Sequence, residues 1–281
     1  MDNEKILELK KKAADIRIGI IDEVYNAKSG HPGGALSSAD IIACLYFSEL
    51  RIDPKSPKDP GRDRFVLSKG HSCPALYAAL ALKGYFDVEE LKKFRHLGSF
   101  MQGHPDMKAA NGVDMSSGSL GQGISAACGM ALSAKIDNKD YRTYALLGDG
   151  ESQEGQVWEA TMFAAHYKLD NLCLIIDNNG LQIDGRVKDV MNVMPYPSKF
   201  KAFGWHVISI DGHNIEEILA ALDEARTVKG KPTVIVAQTV KGKGVSFMED
   251  RAEWHGKAPN DEQYKIAMSE LKEYRKSLDK E

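Results

Sequence analysis

Leu147-Gly148-Asp149-Gly150-Glu151-Ser152-Gln153-Glu154-Gly155 and, further along, Ile176-Asp177-Asn178-Asn179-Gly180-Leu181 are the two segments around which this chain is organised. Each follows an apolar run: Tyr144-Ala145-Leu146-Leu147 before Gly148, and Leu172-Cys173-Leu174-Ile175-Ile176 before Asp177. Such short runs predict buried parallel strands, and the interval between them suits the helix of a strand-helix-strand unit. Asp149 then stands at the carboxyl end of one strand and Asp177, Asn178 and Asn179 at the end of another, so both sets reach one crevice, the usual ligand position in open α/β sheets. Glycines on both sides of Asp149 let backbone and ligand approach closely. A helix through Gln156-Val157-Trp158-Glu159-Ala160 is expected to aim unpaired N–H groups at the same place, and helix starts favour anions.

The donors are a carboxylate, an amide oxygen and a free backbone carbonyl after the Asn-Asn pair, hard oxygen ligands that suit Mg²⁺ or Ca²⁺ better than zinc. Gly-Asp-Gly alone, like Asn-Gly, would be an ordinary turn. Their pairing at this spacing, each after an apolar run, predicts the seat of a metal-chelated diphosphate.

Gly148-Asp149-Gly150 with Asn178-Asn179 resembles the thiamine-diphosphate signature, and Gly150-Glu151-Ser152-Gln153-Glu154-Gly155 resembles its transketolase version. The resemblance implies thiamine diphosphate as cofactor. It implies Mg²⁺, with Ca²⁺ or Mn²⁺ as substitutes, held by Asp149, Asn179 and the Leu181 carbonyl. Gly150 would give close backbone contact, and Ile183 would pack near the cofactor.

Composition bounds the alternatives. The chain has 281 residues and is 43% apolar, enough for a large core in one big α/β domain or two small ones. A net charge of −3, with acidic and basic residues mixed, gives no footprint for nucleic acid or membrane. Cys44, Cys73, Cys128 and Cys173 lie far apart, which argues against a zinc ribbon or redox pair and for reduced, buried thiols in the cytoplasm. Asp2, Glu4 and Glu8 make the N-terminus unlike a targeting peptide, and no run approaches the roughly 18 apolar residues of a membrane span.

Upstream, Ile6, Leu9, Ala13, Ile16, Ile20 and Val24 recur at helical spacing, predicting an amphipathic helix. It stops at Ser29-Gly30-His31-Pro32-Gly33-Gly34, and glycine-flanked histidines recur at Gly70-His71, Gly103-His104 and His255-Gly256. Arg64 to Ser68 reads as a strand feeding His71. The other four, His96, His166, His206 and His213, have no such setting and are assigned to the surface or to satisfied core positions. Transketolases carry similar segments, so the resemblance implies that His31, His71, His104 and His255 line the substrate channel, with His71 and His255 also at the cofactor. Imidazole suits such work because it donates to sugar hydroxyls and phosphate and moves protons near neutral pH. The resemblance also matches Gly118 and Leu120 to residues at the aminopyrimidine, although Ser119 stands where proline is usual. Glu154 matches a glutamate at the subunit interface, implying a relay role.

Leu91 to Gly98 reads as helix, and the stretch with Pro195 and Pro197 as loop. Trp205 to Asp211 and Pro232 to Ala237 read as strands around a helix that starts with Asn214 and Glu217 in a capping-box pattern. Lys241 and Lys243 follow the last strand among glycines and are candidates for a phosphate contact. A charged, helical tail covers 260–281, with Tyr264, Leu271, Tyr274 and Leu278 as anchors. The expected fold is α/β, a doubly wound, mostly parallel sheet with helices on both faces, in a single diphosphate-binding domain over 1–281.

In transketolases the glutamate that assists cofactor ionisation and most sugar-phosphate arginines lie on a second domain, which this chain does not resemble. The resemblance therefore implies the N-terminal subunit of a split transketolase, moving a two-carbon ketol unit between sugar phosphates with a C-terminal partner chain in an α₂β₂ assembly. The alternatives are the matching half of a 1-deoxyxylulose-5-phosphate synthase-like enzyme, a non-catalytic cofactor-binding subunit, or a fragment of a longer enzyme. The absence of a Gly-x-x-x-x-Gly-Lys-Ser/Thr run argues against a P-loop nucleotide site.

Overall fold

The computed structural model describes residues 2–280. Five parallel strands form the sheet: β1 (Arg64–Leu67), β2 (Thr143–Gly148), β3 (Leu172–Asn178), β6 (His206–Asp211) and β7 (Thr233–Gln238), in spatial order β1-β2-β3-β7-β6. Two short strands, β4 (Leu181–Gln182) and β5 (Gly185–Arg186), make a separate antiparallel ribbon. The helices are α1 (Asn3–Ala27), α2 (Pro32–Ser37), α3 (Ala39–Cys44), α4 (Cys73–Lys83), α5 (Gln122–Ile136), α6 (Gly155–His166), α7 (Val187–Val190), α8 (Tyr196–Ala202), α9 (Ile215–Thr227) and α10 (Asp261–Ser277).

Alternation along the strands feeds two cores. Phe65, Tyr144, Leu146, Cys173, Ile175 and Ile235 pack with α1, α3, α4 and α9 on one face. Val66, Ala145, Leu147, Leu174, Ile176 and Val234 pack with α5, α6 and α8 on the other. Burial on both faces is why these runs are almost continuously apolar, and it makes the sheet doubly wound as expected.

α1 is capped by Asp2, whose carboxylate accepts from the Glu4 N–H, and buries Ile6, Leu9, Ala13, Ile16, Ile20 and Val24. α10 starts with a reciprocal capping box between Asn260 and Gln263 and anchors through Leu271 and Leu278, while Tyr264 stacks on Tyr25 at 3.8 Å between ring centroids. Tyr274 is about half exposed instead.

Three local expectations need correction. Leu91–Gly98 is not an α-helix: a 3₁₀ turn covers Val88–Lys93, and Arg95 and Gly98 take positive φ, because only Leu91 and Phe94 there have core to bury in. The Pro195-Pro197 stretch is not all loop, since α8 begins at Tyr196 and Pro197 falls in its first turn, where a missing N–H costs nothing. Asn214 caps α9 through the N–H groups of Glu216 and Glu217, but Glu217 reaches the Asp211 N–H rather than closing a capping box. The four cysteines are free and buried. Among the described residues no helix is long and apolar enough to cross a membrane.

Candidate active site

β1, β2, β3 and β7 are parallel neighbours, so the residues that follow them share one edge of the sheet. A cavity of about 350 Å³ opens there, lined in part by Asp149, Gly150, Asn179 and Leu181.

The backbone at Asp149 is held from both sides: its N–H donates to the Asp177 carbonyl at 3.3 Å, and Tyr196 Oη donates to its carbonyl at 2.9 Å. Its carboxylate accepts from the Gly150 N–H at 2.8 Å and from the Gly180 N–H, which ties the β2 end to the β3 turn. Asn179 Oδ1 accepts the Leu181 N–H at 3.1 Å, and Lys241 Nζ lies 3.4 Å from the Leu181 carbonyl. The helix expected through Gln156 to Ala160 is α6 (Gly155–His166), and a 3₁₀ turn at Gly150–Gln153 separates its start from Asp149.

Asp149 is 2% exposed, and burial, then the neighbouring Asp177, pushes its carboxyl up to about 7. Asp177 goes the other way: burial alone would raise it, but Lys69, helped by Ser37 and Thr239, holds it below the usual carboxylate range. Lys69 is buried against Asp177 and also donates to the Gly34 carbonyl at 2.8 Å.

These features fit a divalent cation on a diphosphate. A carboxyl raised by burial is one that a cation would return to its charged form. The oxygen set is hard and carries one formal charge, leaving the remaining charge for a diphosphate. Among the described residues no cluster of three His, Cys, Asp or Glu could hold a metal by itself. Gly118, which also lines the cavity, has φ +149°, and a Cβ there would lie 2.9 Å from His104 Cδ2, so only glycine fits against that ring.

Three histidines line the same cavity. His31 precedes α2, His71 sits in the 3₁₀ turn after β1, and His255 follows the 3₁₀ turn Ala252–Trp254. Their ring centroids are 5.1 Å apart for His31–His71 and His71–His255 and 5.4 Å for His31–His255. Burial, then Arg95, lowers His31 to about 4, and burial, then Lys241, lowers His255 to about 3. His71 is driven well down by burial and then by the other two imidazoles. All three are neutral at pH 7, so each offers one N–H donor and one bare nitrogen.

His104 is exposed and packs against Gly118, off the cavity wall. Leu120 is half-buried on the wall, Glu154 is exposed on the rim, and Ile183 is 65% exposed at the mouth. The two candidate lysines separate: Lys241 is buried in the cavity and contacts His255 Nδ1 at 2.9 Å, whereas Lys243 points outward to Glu249. Two further groups carry no role in the sequence reading. Lys69 stands between a strand end and Gly70, and Glu151 lies inside the central motif, so position alone could have flagged both. Glu151 is buried and joins three loop segments, accepting from Ser68 Oγ and from the N–H groups of Gly121 and Gly148.

The family profile described as "Transketolase, thiamine diphosphate binding domain" matches residues 9–276. The chain belongs to the transketolase family. The family's reaction is transfer of a two-carbon ketol unit, and the cofactor module is the part this chain carries. A 6-deoxy-6-sulfo-D-fructose transketolase subunit of Clostridium sp. (strain MSTE9) is 47% identical over 96% of this chain and 98% of the relative. An apulose-4-phosphate transketolase subunit of Phocaeicola vulgatus is 43% identical over 93% of each. Among solved structures, Campylobacter jejuni transketolase matches with a TM-score of 0.88 at 36% identity, over 96% of this chain and 45% of that one. The chain thus spans nearly the whole of the two subunits but less than half of the transketolase from Campylobacter jejuni.

Proposed function

We propose that this chain is the N-terminal subunit of a split transketolase, working in the cytoplasm on sugar-phosphate substrates, in an α₂β₂ assembly with a separate C-terminal subunit. The observation that carries the reading is the one cavity lined by Asp149, Asn179 and Leu181 together with the clustered imidazoles of His31, His71 and His255. Asp149, Asn179 and Leu181 would hold Mg²⁺ against the diphosphate, with Lys241 as a second positive charge. Thiamine diphosphate, when bound, supplies the carbon nucleophile of ketol transfer.

The chain's own residues bind, orient and exchange protons. Gly150 and Gly118 let the cofactor sit against backbone, and Leu120 and Ile183 give it apolar contact. His31, His71 and His255 present donors and acceptors at fixed places without adding charge, which suits sugar hydroxyls and proton exchange at substrate oxygen. His104 would meet substrate at the entrance. Glu154, on the rim, would face the partner.

The reading is tested by assaying ketol transfer with the C-terminal partner present. Turnover should need both chains, and His71→Ala or His255→Ala should lower it by about 100-fold or more. Full turnover by both variants would refute the reading.

A further inference from the structure

Behind the cofactor wall, Arg17, Asp40, His213 and Lys243 line a second cavity, and none of the four lines the first. Asp40, in the first turn of α3 and 7% exposed, is the hub. Arg17 Nη1 donates to Asp40 Oδ1 at 3.1 Å and Nη2 to Oδ2, while Arg17 Nε donates to the Lys243 carbonyl at 3.1 Å. On the other side His213 Nδ1 lies 2.7 Å from Asp40 Oδ2, and His213 Nε2 accepts the Val240 N–H at 2.9 Å. Accepting at Nε2 requires that nitrogen to be bare, so the ring proton sits on Nδ1 and is donated to Asp40.

Both arms end on the same short loop. Val240 and Lys243 flank Lys241, whose Nζ enters the cofactor cavity beside His255 and the Leu181 carbonyl. A buried Arg-carboxylate pair is weak evidence for stability in itself, since apolar side chains of like volume often serve as well. What apolar side chains could not do is fix two backbone groups on either side of a functional lysine.

We propose that Arg17, Asp40 and His213 are positioning residues for diphosphate binding: through the Val240 N–H and the Lys243 carbonyl they fix the loop that aims Lys241 into the cofactor cavity. The proposal rests on the cofactor reading above and adds to it three residues outside the cavity.

The test is calorimetric titration of the full chain with thiamine diphosphate, and with inorganic pyrophosphate, in the presence of Mg²⁺. The key pair is His213→Gln and His213→Asn. Glutamine is long enough to accept from Val240 and donate to Asp40, whereas asparagine is too short. Asparagine should weaken binding by about tenfold, the net worth of one lost hydrogen bond, and glutamine should stay within about threefold of the unsubstituted chain. In a Lys241→Met background the asparagine change should add less than about twofold, because nothing is left to aim. Should His213→Asn fail to fold, Arg17→Lys replaces it. That variant keeps the charge on Asp40 but loses the forked reach to Lys243, and the same pattern is expected. Equal affinities for the asparagine and glutamine variants, or a loss independent of residue 241, would overturn the proposal while leaving the cofactor reading intact. Absence of binding by the unsubstituted chain with the C-terminal partner present would overturn the cofactor reading, and this proposal with it.

Discussion

Lys241→Met should make the cofactor-free chain more stable and its cofactor binding weaker. Lys241 is 2% exposed, and burial is the main cause that lowers its ammonium from 10.5 to about 8, with Asp149 opposing. At about 1.4 kcal/mol per pH unit, keeping that charge in the empty cavity costs on the order of 3 kcal/mol. Because the folded value lies below the unfolded one, the cost is fully present below pH 8 and is relieved as pH rises from 8 toward 10.5. Urea denaturation at pH 7 should therefore show Lys241→Met more stable by up to about 3 kcal/mol, with the advantage fading by pH 10. With Mg²⁺ and thiamine diphosphate the order reverses, since losing one charge-assisted hydrogen bond worth about 1.5–3 kcal/mol should weaken binding by about 10- to 100-fold. A variant less stable at pH 7, one whose advantage ignores pH, or one that binds the cofactor undiminished would refute this reasoning.

Asp40 gives an acid counterpart. Burial would raise its carboxyl, but Arg17 and His213 outweigh that and hold it at about 2, against 3.8 for the free group. Its contribution, on the order of 2 kcal/mol, is present above about pH 4 and lost as pH falls toward 2, so the stability gap between the chain and Asp40→Asn should narrow over that range in urea titrations. Glu151→Gln puts an NH₂ where one of three donors now binds, and denaturation should show a loss of about 1–3 kcal/mol. Gly118→Ala forces a side chain onto φ +149° and into His104, so it should lower the melting temperature and cofactor affinity together, whereas Gly129→Ala, with open space around its Cβ, should change neither.

The sheet is legible in the sequence because a parallel strand buried on both faces leaves a short apolar run, as Leu172 to Ile176 does, and the turn residues after each run mark its carboxyl end. Asp149 and Asn179 can be placed near each other by the same logic, since neighbouring parallel strands deliver their next residues to one edge. The glycine-flanked histidines converge for a topological reason: loops after β1 and before α2 meet the segment around His255 at that edge. His104, the fourth glycine-flanked histidine, is exposed and packs against Gly118, and its charge is among the causes that lower His31. Burial is the quantity the sequence hides. It separates Lys241 from Lys243 two residues on, and it makes Lys69 an ion-pair member rather than a surface charge. His213 gives no signal for the same reason, since its partners Asp40 and Val240 are distant in sequence and carry no local pattern.

The most direct test of the account is calorimetric titration of this chain with thiamine diphosphate, with and without Mg²⁺, repeated on Asp149→Asn. Binding that requires the metal and disappears in the variant, while the variant keeps its native circular dichroism, is the expected result. Equal binding with and without Mg²⁺, or undiminished binding by Asp149→Asn, would contradict it.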